Sequence, residues 1–244
     1  MLPSTQERKR RQIQATCRAF ATPERRQEAR PQQEQLSQRA ARPLPRVCDM
    51  TYDGGMKSEL RKRLLRSLKS LPPAEAARKS RLACRTLLGL AEFQRAEVVM
   101  SYMPISGEVD ATEVNQAVLR HGKTLLLPRV YRDPPRLAAI ACHSLTEPME
   151  RGSYQILEPA EGPAWPVDRI DLVVVPAVAY DLRGFRLGKG GGFYDRFLSQ
   201  PSLRAVTCGL AFSEQILPEV PTQEHDQPIQ MLAAEAEVLR FTAG

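Results

Sequence analysis

The sequence is poor in the features that usually announce a function. No run approaches the roughly 18 apolar residues of a membrane-spanning helix, so a soluble chain with no membrane partner is expected. Its five cysteines (Cys17, Cys48, Cys84, Cys142, Cys208) are scattered, odd in number and never in a Cys-x-x-Cys pair. That argues against a disulfide framework or a zinc site and suits a reducing cytoplasm. Three histidines (His121, His143, His225) have no ligand-like spacing. The Gly-x-Ser-x-Gly elbow of common acyl-transfer hydrolases is missing.

What is present divides in two. Residues 1–55 hold eleven Lys/Arg against six Asp/Glu, with eight glutamines and five prolines among few large apolar side chains. This basic leader has no sustained periodicity and is expected to be disordered. It lacks the apolar core of a secretory signal, and its glutamates make it acid-richer than a mitochondrial presequence. It reads as an unstructured appendage, or translation begins at Met56. Of the net charge of +7, the leader carries +5, so the basicity hardly belongs to the rest of the chain. With no interleaved aromatic platform there, a nucleic-acid partner is not expected.

From residue 56 to 244 the pattern is globular. Leu60, Leu64, Leu65 and Leu68 lie at helical spacing over residues 57–69, and Pro72-Pro73 separates them from a second helix ending near Gly89. Residues 98–103, 124–130, 137–142, 171–175, 205–210 and 237–241 read as strands. Asp110 to Glu113 has the spacing of a capping box opening a helix that ends near Gly122. Helices alternating with apolar strands imply an α/β sandwich of three layers around a largely parallel sheet, with ligands at the carboxyl ends of its strands.

The chemistry is concentrated in residues 184–196, GFRLGKGGGFYDR. Gly188, Gly190, Gly191 and Gly192 surround Lys189, and Arg186 precedes them. Glycine lets amide N–H groups approach an anion closely, a following helix adds its positive end, and the two cations suit phosphate oxygens. A glycine cluster can also be a plain flexible loop, but cations and aromatics stand here in place of serine. Neither common nucleotide fingerprint fits. Gly190 stands where Walker A needs a hydroxyl after the lysine, and Phe193 takes the last glycine position of the dinucleotide motif.

Residues 171–198, DLVVVPAVAYDLRGFRLGKGGGFYDRFL, resemble the signature of the 5-formyltetrahydrofolate cyclo-ligases, or methenyltetrahydrofolate synthetases. Four further stretches are similar to elements of that family in the same order. They are Lys57 to Arg61 (Lys-x-x-x-Arg), SYMPISGEVDATEV at 101–114, Gly152 to Pro159 with its Ile-x-Glu-Pro, and Glu224-His225-Asp226. The resemblance implies a fold of the sugar-phosphate isomerase and CoA-transferase type. It also implies ATP- and Mg²⁺-dependent cyclisation of 5-formyltetrahydrofolate to 5,10-methenyltetrahydrofolate in a cytoplasmic monomer.

By that resemblance Arg186, Lys189 and Tyr194 are catalytic. Lys57, Arg61, Arg186, Leu187, Gly188, Lys189, Gly190, Gly191, Gly192, Phe193 and Tyr194 hold ATP. Met103, Glu108 and Arg61 contact the folate, and Asp195 with Asp226 holds Mg²⁺. Phe193 stands where the family often has Tyr, and Tyr180 replaces a common Phe. Two alternatives stay open at this point. One is a relative acting on another one-carbon or nucleotide-like compound. The other is a non-catalytic scaffold whose leader binds a polyanion.

Overall fold

The apolar run at residues 171–175 is shared between two cores. Leu172 and Val174 belong to one buried cluster, Val173 and Val175 to another. A strand with no polar face is what side chains alternating on a two-sided sheet require. Each such fully buried valine or leucine contributes on the order of 1.5–3 kcal/mol.

In a computed structural model of the chain, residues 54–152 and 156–241 are described. The leader expected over residues 1–55 lies outside them, apart from Gly54 and Gly55, which open the first helix. The helices are α1 (Gly54–Lys69), α2 (Pro73–Leu88), α3 (Ala91–Arg95), α4 (Thr112–Arg120) and α5 (Phe193–Leu198). The strands in chain order are β1 (Val98–Met100), β2 (Thr124–Arg132), β3 (Pro135–Cys142), β4 (Met149–Arg151), β5 (Leu157–Pro159) and β6 (Leu172–Val175). They continue with β7 (Ala179–Asp181), β8 (Arg186–Leu187), β9 (Val206–Ala211), β10 (Ile216–Leu217), β11 (Met231–Ala234) and β12 (Val238–Arg240).

Seven strands form the central sheet in the order β12-β11-β9-β6-β1-β2-β3. Its inner pairings are parallel, and only the two edge pairings, β2 with β3 and β11 with β12, are antiparallel. One face is covered by α2, α3 and α4, whose Ala83, Leu87, Phe93, Val114 and Val118 pack on Val99, Leu125 and Val174. The other carries Phe197 of α5 and Tyr180 of β7 on Met100, Leu126 and Val173. The expected three-layer α/β arrangement with a largely parallel sheet is therefore the observed one.

Several local expectations are corrected. The box at Asp110 to Glu113 does not form, because α4 starts at Thr112 with Ala111 as its cap and no side-chain cap bond. Asp110 instead accepts the Thr112 amide at 3.0 Å in a turn before the helix. The first strand ends at Met100 rather than Met103. Between β6 and the glycine loop lies a hairpin, β7–β8, whose strands are too short to show a period in the sequence.

That hairpin is built on one side chain. Asp181 is wholly buried and accepts from the amides of Arg183, Phe185 and Val220 and from the Arg183 guanidinium. Gly184 closes the turn at φ +86°, where a Cβ would lie 2.6 Å from the Ile229 carbonyl oxygen. Only glycine fits that backbone and that space. The turn sends Arg186, Leu187 and then the glycine loop to the carboxyl ends of the sheet strands.

Candidate active site

Every residue singled out as a candidate lines one cavity of about 360 Å³. Its cationic wall is the glycine loop facing α1. Gly190 and Gly192 have φ of +101° and +62°, conformations that turn successive amides to one side. Among the described residues the amides of Gly190, Gly191 and Gly192 donate to no protein acceptor. A Cβ on Gly190 would sit 3.7 Å from the Arg61 guanidinium, whereas one on Gly188 would meet nothing within 4 Å. The loop is thus an open backbone shelf beneath an arginine.

The cations are already held in place. Lys57 and Arg61, one turn apart on α1, grip different partners. The Lys57 Nζ lies 2.7 Å from Asp226 Oδ2, and the Arg61 Nε donates to the Gly188 carbonyl at 2.7 Å. Burial holds the Arg61 guanidinium below its ordinary pKa. Lys189 Nζ reaches Glu108 Oε1 at 2.5 Å, and Glu108 Oε2 accepts the Ile105 amide. Arg186 is almost wholly buried, paired to Asp195 at 2.6 Å and donating to the Gln227 carbonyl. It is positioned more as a strut behind the loop than as an exposed cation.

Asp195 and Asp226 approach the same end of the cavity, and Asp195 also accepts the amide of Gln227, the residue after Asp226. The described residues hold no group of three or more His, Cys, Asp or Glu side chains able to take a metal by themselves. Two carboxylates fit Mg²⁺ nonetheless, since that ion takes one or two protein carboxylates and completes its shell with phosphate oxygens and water.

Phe193 and Tyr194 open α5. The Arg196 guanidinium stacks on the Phe193 ring at 4.9 Å and donates to the Gly191 carbonyl. The Tyr194 hydroxyl is buried and has no partner among the described residues. Burial first, and then the nearby Glu108 charge, raises its pKa far above the ordinary phenol value.

Met103 lies on the far wall with residues that the sequence did not mark, among them Tyr102, Pro128, Val130, Leu137, Ile156 and Glu158. Tyr102 follows β1, Pro128 and Val130 lie on β2 and Leu137 on β3, and the packing of β5 beside β2 brings Ile156 and Glu158 to the same cavity. Of these, the Ile-x-Glu-Pro resemblance was the one signal that could have pointed to Glu158.

The comparisons with known proteins bear on the family. The family model of the 5-formyltetrahydrofolate cyclo-ligases matches residues 53–235. The chain belongs to that family. It is an enzyme of the ligase class, with the activity of a 5-formyltetrahydrofolate cyclo-ligase. The mouse 5-formyltetrahydrofolate cyclo-ligase is 27% identical over 185 residues, covering 72% of this chain and 89% of the relative. The Mycolicibacterium smegmatis relative of the same name is 29% identical over 182 residues, covering 70% and 89%. The solved structure of Aquifex aeolicus 5,10-methenyltetrahydrofolate synthetase superposes with a TM-score of 0.68 at 36% identity, covering 78% of this chain and 94% of that one.

Proposed function

We propose that the cavity binds MgATP and 5-formyltetrahydrofolate side by side and uses the γ-phosphoryl group to activate the formyl oxygen. The observation that carries this reading is one wall made of unclaimed loop amides and cations, opposite a wall lined by Met103, Pro128, Val130, Leu137 and Ile156. The formyl oxygen is a poor leaving group. It attacks the γ-phosphorus, ADP departs, and the oxygen becomes part of a phosphate ester. The folate N10 then attacks the formyl carbon, phosphate leaves with that oxygen, and N10 gives up its proton to yield the 5,10-methenyl product.

The residues suit a reaction that asks mainly for positioning and charge neutralisation. Lys57, Arg61 and Lys189 with the amides of Gly190 to Gly192 hold the triphosphate. Arg186 fixes Asp195 and the start of the loop. Glu108 and Met103 flank the formylated ring, and the Tyr194 hydroxyl supplies a hydrogen bond next to it. Asp195 and Asp226 would hold Mg²⁺, which neutralises charge on the phosphates when bound. The site is completed by one chain, which supports a monomer. Cys84, Cys142 and Cys208 are buried free thiols, consistent with the cytoplasm.

Near-ultraviolet absorbance tests the reading directly, because the methenyl product absorbs there and the substrate does not. Purified protein with 5-formyltetrahydrofolate and MgATP should give a rise that is absent without ATP or without Mg²⁺. A rise independent of ATP would overturn the phosphorylated intermediate.

A further inference from the structure

The Gly152 to Pro159 stretch is the one family-like motif that the proposed chemistry leaves without a task. In the fold its described residues bury one carboxylate. Glu158 is 3% exposed, lines the cavity, and its Oε2 accepts the Val130 amide at 3.2 Å. Val130 pairs with Leu137 of β3 on one side, but on the other β2 runs past the end of β1, and there the carboxylate stands in for a missing neighbour. Gly152 makes the room: a Cβ there would lie 2.2 Å from the Glu158 carboxyl carbon. Pro159 finishes the motif by offering its carbonyl to Arg129, whose guanidinium also pairs with Glu150.

The other carboxyl oxygen, Oε1, is buried and has no partner among the described residues. Glu108, by contrast, has both oxygens engaged, by Lys189 and by the Ile105 amide. A buried carboxylate oxygen without a donor is costly, and a ligand that brings one removes the cost. Burial accordingly pushes the Glu158 carboxyl above its ordinary pKa, against the Val130 amide and Arg129, which pull it down.

The neighbours define what the ligand group looks like. Pro128, Val130, Leu137 and Ile156 surround this part of the cavity with apolar surface. The partner is therefore a flat ring, apolar on its faces and carrying N–H donors along an edge. We propose that Glu158 is a recognition residue for the folate, its Oε1 accepting a hydrogen bond from the exocyclic amino group of the pterin. This rests on the folate-binding reading above and adds to it an acceptor beyond Glu108.

The substitution Glu158→Gln is a sharp test because Val130 dictates its orientation. The Val130 amide needs an acceptor, so the glutamine oxygen takes the Oε2 place and its NH₂ group takes the place of Oε1. The site then presents a donor to a donor. With the full chain, the variant should raise the KM for 5-formyltetrahydrofolate at least about tenfold while the KM for MgATP stays within twofold. The 2-desamino-2-methyl analogue of the substrate should bind wild type at least about tenfold more weakly than the substrate does, and the variant should lose that discrimination.

An unchanged folate KM, or a raised MgATP KM in its place, overturns the proposal; the second result would give Glu158 to the adenine. If the variant does not fold, wild type alone decides, because equal affinity for substrate and desamino analogue is incompatible with the assignment. Wild-type protein that makes no methenyl product would instead sink the underlying function, a result distinguishable from all of these.

Discussion

Lys189 and Tyr194 show how single side chains in the cavity are poised for a ligand. Lys189 holds Glu108 from a loop whose amides face the same space. Replacing it by alanine should lower kcat/KM for MgATP by about a hundredfold, the usual loss for one charge-stabilising donor, while moving the folate KM only a few-fold. Steady-state kinetics varying each substrate in turn separates the two effects. The Tyr194 hydroxyl is a buried donor without an acceptor among the described residues. Tyr194→Phe should therefore leave the ligand-free protein as stable or up to about 1 kcal/mol more stable, and weaken its stabilisation by bound folate. A lower melting temperature without ligand would mean that the hydroxyl is bonded in the free protein.

At the scale of elements, the β7–β8 hairpin sets the glycine loop. Gly184→Ala places a methyl against the Ile229 carbonyl and the Phe241 ring at a positive φ, and should cost about 2 kcal/mol or more. Activity should fall further than stability, because the turn aims Arg186 and Gly188; denaturant unfolding and kinetics on the same preparation would show it. Such elements were also the hardest to see in the sequence. The strands at residues 124–130, 137–142 and 171–175 were legible because their side chains alternate or run apolar over four or more residues. β7 and β8 are three and two residues long, too short for a period, and are specified by Asp181, which reads as an ordinary turn aspartate until it is buried. β11, MLAA, is as long as β6 but half alanine, and without β-branched side chains it carries no strand signal. The residues of the site were legible where a motif spaced them, as in the glycine loop and the Lys57–Arg61 turn. Pro128, Val130 and Leu137 were not, since they lie outside every motif and only the fold brings them to the cavity.

At the scale of the whole molecule, acid stability turns on a buried cation. Lys79 of α2 lies between Glu214 and Glu235, at 2.5 and 3.0 Å, and so fastens α2 to the segments following β9 and β11. Burial pushes the Glu235 carboxyl up, but the Lys79 bond and the Ser213 donors outweigh it, and its pKa lies below the ordinary 4.5. A depressed carboxylate contributes stability that is present above its unfolded value and is lost as pH falls through its folded one. Lys79→Ala should cost about 3 kcal/mol near neutrality, by leaving Glu235 buried without a cation. That deficit should shrink as the pH drops below 4.5, which thermal melts of both proteins across the range would reveal.

The pairing of Lys57 with Asp226, Arg186 with Asp195 and Lys189 with Glu108 has a consequence for ionic strength. The cavity is close to electroneutral before any ligand arrives, despite its four cations. On the proposed function, an incoming polyphosphate would exchange places with carboxylates on these cations instead of discharging a bare positive surface that had gathered counterions from solution. Few bulk ions are released in such an exchange, and the contacts form out of reach of the screening atmosphere. Nucleotide affinity should consequently decline with added salt far less steeply than four unpaired cations would require.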